Sequence, residues 1–334
     1  MERARVTRIG VVAIGRNEGV RLERCLDSAR GEGRSLVYVD SGSVDASVSN
    51  ARRRGAEVVE LSSDVPFTAA RARNAGFARL RELDPQAEWV QFVDGDCEID
   101  PAWWATIDRW LPGDDDVAVI CGRRRERDPD ASIYNRLCDL EWNTPIGSAS
   151  SCGGDSLMRA SAFEAVGGFN PALIAGEEPE LCFRLRARGF RIERLDSEMT
   201  LHDAAMSHFT QWWLRAMRAG HAYAENFALH GRTPARFRAR ELTSILFWGL
   251  ALPAAAVLAT PLSPLAPLGA LALYLVLFLR IRAGRLAAGA SGSDANAFAL
   301  FTVLGKWAQA AGVAWYLWNR ARGQRTSLIE YKGA

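Results

Sequence analysis

Two carboxylates separated by one glycine follow directly on a short apolar run. Asp94-Gly95-Asp96 comes after Trp89-Val-Gln-Phe-Val93. Carboxylates this close repel each other unless a positive charge lies between them. A hard divalent cation that also takes phosphate oxygens meets that need. Because Asp and Gly are also ordinary turn residues, the motif predicts a metal–diphosphate site only together with other residues.

A second acidic cluster has the composition of a proton-accepting site. Glu177, Glu178 and Glu180 lie at the start of a helix predicted over residues 179–188. Acidic residues stabilise a helix N-terminus, but three in four positions exceed that need. Neighbouring carboxylates suit a general base. His202 joins this chemistry only if it faces the Asp-Gly-Asp turn.

The elements that must position these residues are predicted from the apolar pattern. Strands are expected at 9–14, 36–39, 58–61 and 89–93, with helices at 21–30 and 68–83 between them. This alternation predicts an α/β domain with a mostly parallel sheet and helices on both faces. Ligands bind at the carboxyl ends of such strands, where Asp40 also lies. P-loop and dinucleotide fingerprints are absent from the sequence.

Composition narrows the functional class. The 334 residues carry a net charge of only +2, which gives no general affinity for nucleic acid. The charge run at 122–128 is typical of a solvated loop. Six cysteines without Cys-x-x-Cys spacing match neither a disulfide framework nor a zinc pattern. They predict free thiols in a reducing compartment.

The C-terminal part has the pattern of a membrane protein. Residues 242–279 contain no charge, and arginines flank them on both sides. We predict transmembrane helices at about 242–260 and 262–280, with both outer ends cytoplasmic by the positive-inside rule. Residues 298–320 contain Lys306 and several tryptophans, which favours an interfacial helix. The alternative is a buried helical pair in a soluble domain. The apolar run at 9–14 is too short for a signal-peptide core.

Several motifs in order resemble family 2 of the inverting glycosyltransferases, which have the GT-A fold. The resemblance covers roughly residues 8–225 and predicts domains at 1–230 and 231–334. The terminal run at 328–332 resembles bacterial members that build exopolysaccharide and cell-surface glycans. The matching motifs are Ala-Ile-Gly-Arg-Asn-Glu at 13–18, Val-Asp-Ser-Gly-Ser-Val-Asp at 39–45, Arg-Ala-Arg-Asn-Ala-Gly at 71–76, Asp-Gly-Asp at 94–96, the segment 153–169 and Gly-Glu-Glu-Pro-Glu-Leu at 176–181.

The resemblance implies a role for each of these positions. Glu178 would be the catalytic base, although the family usually has Asp there, so Glu177 or Glu180 could share the role. Asp96 and His202 would bind Mg²⁺ or Mn²⁺, and Asp155 and Glu177 the acceptor. The nucleotide-sugar would contact Arg16, Glu18, Asp40, Arg71, Arg73, Asn74, Asp94 and Gly95.

The implied reaction transfers a sugar from a UDP-linked donor to a hydroxyl of a lipid-linked glycan, with inversion. The implied location is the bacterial inner membrane, with the catalytic domain facing the cytoplasm. Membrane lipids and polysaccharide-assembly proteins are the candidate partners, and nucleic acid is not expected. Two alternatives remain: a nucleotidyltransferase, and an inactive membrane subunit that binds a nucleotide-sugar.

Overall fold

The structure is a computed structural model that describes residues 7–111 and 116–324. By contact, the chain divides into two compact units. The first contains the residues up to Asp128 and Glu141–Ala204, and the second contains Pro129–Leu140 and the residues from Ala205 onward. The run at 328–332 that resembles the bacterial subgroup lies outside the described residues. The functional division at residue 230 stays a prediction.

The first unit begins with a parallel sheet in the order β3-β2-β1-β4. Its strands are β1 (Ile9–Gly15), β2 (Leu36–Asp40), β3 (Glu57–Glu60) and β4 (Trp89–Asp94). The connecting helices are α1 (Val20–Ala29), α2 (Ser47–Arg53) and α3 (Ala69–Leu83). Helices are expected between parallel strands, because neighbouring parallel strands require a crossover connection.

The rest of the sheet is mixed. Its strands are β5 (Cys97–Ile99), β6 (Val117–Glu126), β7 (Gly147–Ser148), β8 (Ser156–Arg159) and β9 (Arg191–His202), and its helices are α4 (Pro101–Trp110), α6 (Ala160–Ala165) and α7 (Glu177–Ala187). β8 runs antiparallel to both β4 and β6, whereas β6 and β9 are parallel. The prediction of a mostly parallel sheet is therefore correct only for the strands β1 to β4. The chain connects β7 to β8 through a loop, without a crossover helix. β8 therefore runs opposite to its neighbours β4 and β6.

The apolar strands hold the polar strand ends at one edge. Val11, Val12 and Phe92 have no exposed surface, as expected for parallel strands covered on both faces. The strand register pairs Ile14 with Asp94 and Gly15 with Asp40. The ends of β1, β2 and β4 therefore meet at the same edge, which confirms the α/β architecture predicted from the sequence.

The second unit is helical. Its helices are α5 (Ile133–Trp142, whose last two residues belong to the first unit), α8 (Phe209–His230), α9 (Ala239–Leu246), α10 (Leu252–Ala259), α11 (Ala266–Ala287) and α12 (Gly292–Ala321). The helices α9 and α10 are continuous through a π-helical turn at Phe247–Ala251.

Among the described residues, three helical segments are long and apolar enough to cross a membrane. Ala239–Ala259, Ala266–Ala287 and α12 have mean hydropathies of 2.0, 1.6 and 1.3. The first two expose large apolar side chains such as Leu258 and Leu271. Exposed apolar surface on this scale marks an interaction surface, here one suited to lipid. Length and composition alone thus admit α12 as a third span, in addition to the predicted pair.

The helix α12 differs from the other two segments because it packs closely on α8. A side chain added at Gly312 would meet the backbone of Met217, and one added at Gly220 would meet the backbone of Gln309. Glycine at these positions lets the two helix backbones approach each other, as small residues do in membrane helix pairs. The ring of Phe301 also packs against Trp212, with 4.9 Å between the ring centroids. These contacts fix α12 along α8.

Candidate functional site

A buried arginine joins two carboxylates at the sheet edge. Arg73 lies on α3 and is 2% exposed. Its guanidinium donates hydrogen bonds to Asp94, at 2.6 Å, and to Glu177, at 2.7 Å. Asp94 ends β4 and Glu177 begins α7. This one side chain therefore fixes the first Asp of the Asp-Gly-Asp motif relative to the acidic cluster.

A second arginine supports the same aspartate. Arg124 contacts Asp94 at 3.3 Å and donates from Nε to Asp155 at 2.9 Å. Asp155 has no exposed surface, and its other oxygen accepts the amide of Asp94. Thr200 also donates to Asp155. Asp155 thus fixes the backbone of Asp94 and the side chain of Arg124. Its role in acceptor binding stays a prediction.

The two arginines determine the charge state of Asp94. Burial acts to raise the pKa of Asp94, but the positive charges of Arg73 and Arg124 outweigh it and hold that pKa well below its ordinary value. Asp94 therefore stays ionised near neutral pH. Burial acts to lower the pKa of Arg73, but the negative charges of Asp94, Glu177 and Asp155 outweigh it and raise that pKa.

Sequence reasoning missed Arg124. The run at 122–128 was expected to be a solvated loop, and this was wrong because β6 continues through Glu126 by pairing with β9. The apolar run at 117–121 was the available signal, since it begins this strand. Trp142 was also missed: its ring lies 4.8 Å from that of His202 and 5.3 Å from the guanidinium of Arg124.

Asp96 and His202 form a pair of potential metal ligands. His202 Nε2 lies 3.3 Å from a carboxylate oxygen of Asp96, because β5 and β9 pair Cys97 with His202. His202 Nδ1 lies 3.4 Å from Glu126, the type of contact that orients a metal-binding imidazole. Oxygen and imidazole nitrogen suit Mg²⁺ or Mn²⁺. The pair therefore fits the predicted ion, whose other ligands would come from substrate or water.

Two predicted nucleotide contacts are bonded to nearby backbone. Asp40 is 3% exposed and accepts the amides of Gly42 and Ser43. Asn74 both donates to and accepts from the backbone of Phe169. These bonds fix the turn after β2 and the Gly-Gly-Phe turn, so both side chains shape the rim of the sheet edge. Their contacts with a nucleotide stay predictions.

The other predicted nucleotide contacts lie around the first loops. The guanidiniums of Arg16 and Arg71 lie 5.8 and 5.9 Å from the ring of Phe67. Glu18 forms an ion pair with Arg21. The amide of Gly95 donates to Ile14, and a side chain there would crowd Ile14 and Glu18. Glycine is therefore required by the close approach of the first loop to the Asp-Gly-Asp turn.

The three glutamates of α7 have three different partners. Glu177 faces Arg73, and Glu180 pairs with Arg184 on the same helix, at 2.7 Å. Glu178 accepts the amide of Cys152 at 2.5 Å and is 8% exposed. The Cys152 loop continues to Gly154, where an added side chain would meet Arg73 and Asp94. This loop therefore contacts Glu178 and the Asp94 network within three residues.

The family comparison agrees with this arrangement. Residues 11–165 match the family described as Glycosyl transferase family 2. These residues belong to glycosyltransferase family 2. The matched part begins in β1, contains Asp94, Asp96 and Asp155, and ends at the last residue of α6. The glycosyltransferase domain predicted from the motifs is thus confirmed in this range. No curated protein matches the sequence.

Two solved structures are similar to this chain. A mannosyltransferase from Pyrobaculum calidifontis in complex with GDP-Man and Mn²⁺ is 19% identical, with a TM-score of 0.63, and the match covers 94% of this chain and 88% of that chain. Glucosyl-3-phosphoglycerate synthase from Mycobacterium tuberculosis matches at 19% identity over 67% of this chain and 80% of that chain, with a TM-score of 0.47. At 19% identity, the likeness to the mannosyltransferase shows the GT-A fold alone.

Removing Arg73 tests whether this network supports the domain. We expect Arg73→Ala to lower the free energy of unfolding by about 3 kcal/mol, because it leaves two largely buried carboxylates short of their partner. The measurement is denaturant unfolding of the purified full chain. Arg79→Ala is the matched control, since Arg79 lies on the same helix and also pairs with two glutamates, but at the surface. Equal losses for the two variants would contradict a special role for Arg73.

Proposed function

We propose that this protein transfers a sugar from a nucleoside-diphosphate sugar to a hydroxyl of a lipid-linked glycan, with inversion at the anomeric carbon. Family membership supports the class of reaction. The observation that carries the proposal is the joining of Asp94 and Glu177 through Arg73, since it brings the proposed donor site and the acidic cluster to one edge of the sheet. Mg²⁺ or Mn²⁺ is the proposed cofactor.

Each proposed role follows from the surroundings of the side chain. Asp96 and His202 would hold the metal ion, which would supply positive charge to a leaving diphosphate. Asp94 orients the donor, since its ionised carboxylate is fixed by two arginines. Arg16 and Arg71 lie beside an aromatic ring at the rim, where they would bind the anionic donor. These residues bind and orient; none of them needs to form a covalent intermediate.

Glu178 is the proposed general base. Its carboxylate is held by the amide of Cys152 and the thiol of Cys182, which fixes its orientation. A base must lie within hydrogen-bonding reach of the proton that it removes, and the loop that contacts Glu178 also contacts the Asp94 network. Glu177 is already paired with Arg73, which leaves Glu178 as the proposed base.

We also propose a location at the bacterial inner membrane, with the catalytic domain on the cytoplasmic side. Arginines at 232–240 and at 280–285 flank the two apolar helices, and the positive-inside rule then gives a hairpin with both ends cytoplasmic. Lys306 and several tryptophans lie in α12, which supports an interfacial position for it.

Metal-dependent transfer is the first test of the proposed function. Purified full chain is offered UDP- and GDP-sugars with Mg²⁺ or Mn²⁺, and we expect turnover that chelation abolishes. Asp96→Ala should lose at least about 100-fold in rate and weaken Mn²⁺ binding measured by electron paramagnetic resonance. Asp108→Ala, which removes an exposed carboxylate from α4, is the control. Normal transfer by Asp96→Ala would rule out its role as a metal ligand.

Three glutamine variants of the acidic cluster identify the base. Glu178→Gln should slow the single-turnover rate by about 10²- to 10⁴-fold with donor affinity unchanged, because Gln cannot accept the proton. Glu177→Gln should mainly weaken acceptor binding, and Glu180→Gln should do least, since Glu180 pairs with Arg184. If Glu177→Gln or Glu180→Gln proves the slowest, the base must be reassigned.

Reporter fusions test the proposed topology. Fusions after Arg240 and at the C-terminus should both report the cytoplasm, because two crossings return the chain to its starting side. A fusion in the turn between α10 and α11 should report the opposite side. A C-terminal fusion on the side opposite to Arg240 would show that α12 is a third span.

A further inference from the structure

Two cysteines and the proposed base form a compact cluster of metal-binding atoms. The sulfur atoms of Cys152 and Cys182 lie 3.6 Å apart. The Cys182 thiol donates to a carboxylate oxygen of Glu178 at 3.1 Å, one helical turn away on α7. One ligand atom from each of the three residues lies within 4.8 Å of the other two. The spacing of the cysteines in the sequence gave no sign of this cluster.

The separation of the two sulfurs is close to that in a zinc site. Two thiolates bound at about 2.3 Å to a tetrahedral Zn²⁺ lie about 3.8 Å apart, and a carboxylate oxygen lies about 3.5 Å from each sulfur. The observed 3.6 Å between the sulfurs and 3.1 Å from the Cys182 sulfur to the Glu178 oxygen differ from these distances by only a few tenths of an ångström. The Cys152 sulfur lies within 4.8 Å of a carboxylate oxygen of Glu178. The fourth position of the tetrahedron would be open to water.

We propose that Cys152, Cys182 and Glu178 form a binding site for one thiophilic divalent cation of the Zn²⁺ class. On binding, the two thiols lose their protons to solvent and two metal–sulfur bonds form, with no change of oxidation state. Two protons leave for each dication that enters, so the net charge of the cluster is unchanged. This site differs from the Asp96–His202 pair, whose ligands suit a hard cation that contacts phosphate.

The surroundings allow a metal ion to enter. Cys152 is half-buried, and its neighbours Ser151 and Gly153 are exposed. Gly153 has a φ of 86°, so the loop turns sharply beside the thiol. Cys182 and Glu178 are fixed on α7, whereas Cys152 belongs to the loop between β7 and β8. A small movement of that loop would complete the coordination.

Metal binding at this cluster would also block transfer, and this consequence rests on the proposed function. A cation bound to Glu178 occupies the carboxylate that is proposed to accept the proton of the acceptor hydroxyl. Zn²⁺ should therefore inhibit transfer even with excess Mg²⁺ present. Because Mg²⁺ prefers oxygen ligands, it should not displace Zn²⁺ from two sulfurs.

Cobalt provides a direct spectroscopic test. Full-length protein, stripped with chelator and kept reduced with a phosphine, is titrated with Co²⁺. We expect a sulfur-to-cobalt charge-transfer band that saturates at one equivalent and disappears when Zn²⁺ is added. Cys152→Ser and Cys182→Ser should each lower the affinity for Co²⁺, measured from the titration of this band, by at least about 10-fold. Cys152→Ser changes a half-buried loop residue, so it tests the site even if Cys182→Ser folds poorly.

Cys97→Ala is the matched control, because Cys97 is the thiol nearest Asp96 and His202. The band should persist in this variant. Absence of the band in the unsubstituted protein, or its loss in Cys97→Ala but not in Cys152→Ser, would overturn the proposal. If the band behaves as expected but Zn²⁺ does not slow transfer, the metal site stands and the assignment of Glu178 as the base fails.

Discussion

Arg73 carries the positive charge on which the arrangement of the site depends. Asp94 and Glu177 come from distant parts of the chain, and two carboxylates brought together in a largely buried place would repel each other. The guanidinium holds one on each side with a separate hydrogen bond. Arg124 and Asp155 extend the pairing to β6 and to the residue before β8. The network is costly to bury but more costly to break, which favours one geometry.

Close backbone approach is the second requirement of the site. The loop before β8 can lie over Arg73 and Asp94 only because position 154 has no side chain. Gly95 likewise lies so close to the end of β1 that a side chain there would crowd the backbone of Ile14. Through this loop the Asp94 network is linked to Glu178, and through Cys152 to a cluster with metal-binding character. The proposed base and the proposed thiophilic metal site are therefore parts of one local structure.

Close helix packing has a similar origin in the second unit. Gly220 on α8 and Gly312 on α12 allow two backbones to meet, while α10 and α11 keep their large apolar side chains exposed. Close packing on α8 distinguishes α12 from the segments that contain α10 and α11, although all three segments are long and apolar enough to cross a membrane.

The sequence by itself determined the local elements and the class of protein. Apolar runs such as Val11-Val12-Ala13 specify buried strands, and the Asp-Gly-Asp motif with its ordered companions specifies the family. Only the tertiary structure decided which charges meet. Arg124 lies in a run that resembles a solvated loop, and its contact with Asp155 exists only because β6 pairs with β9. A separation of 30 positions likewise conceals the proximity of Cys152 and Cys182. Contacts between distant segments depend on strand order and register, which local patterns do not encode.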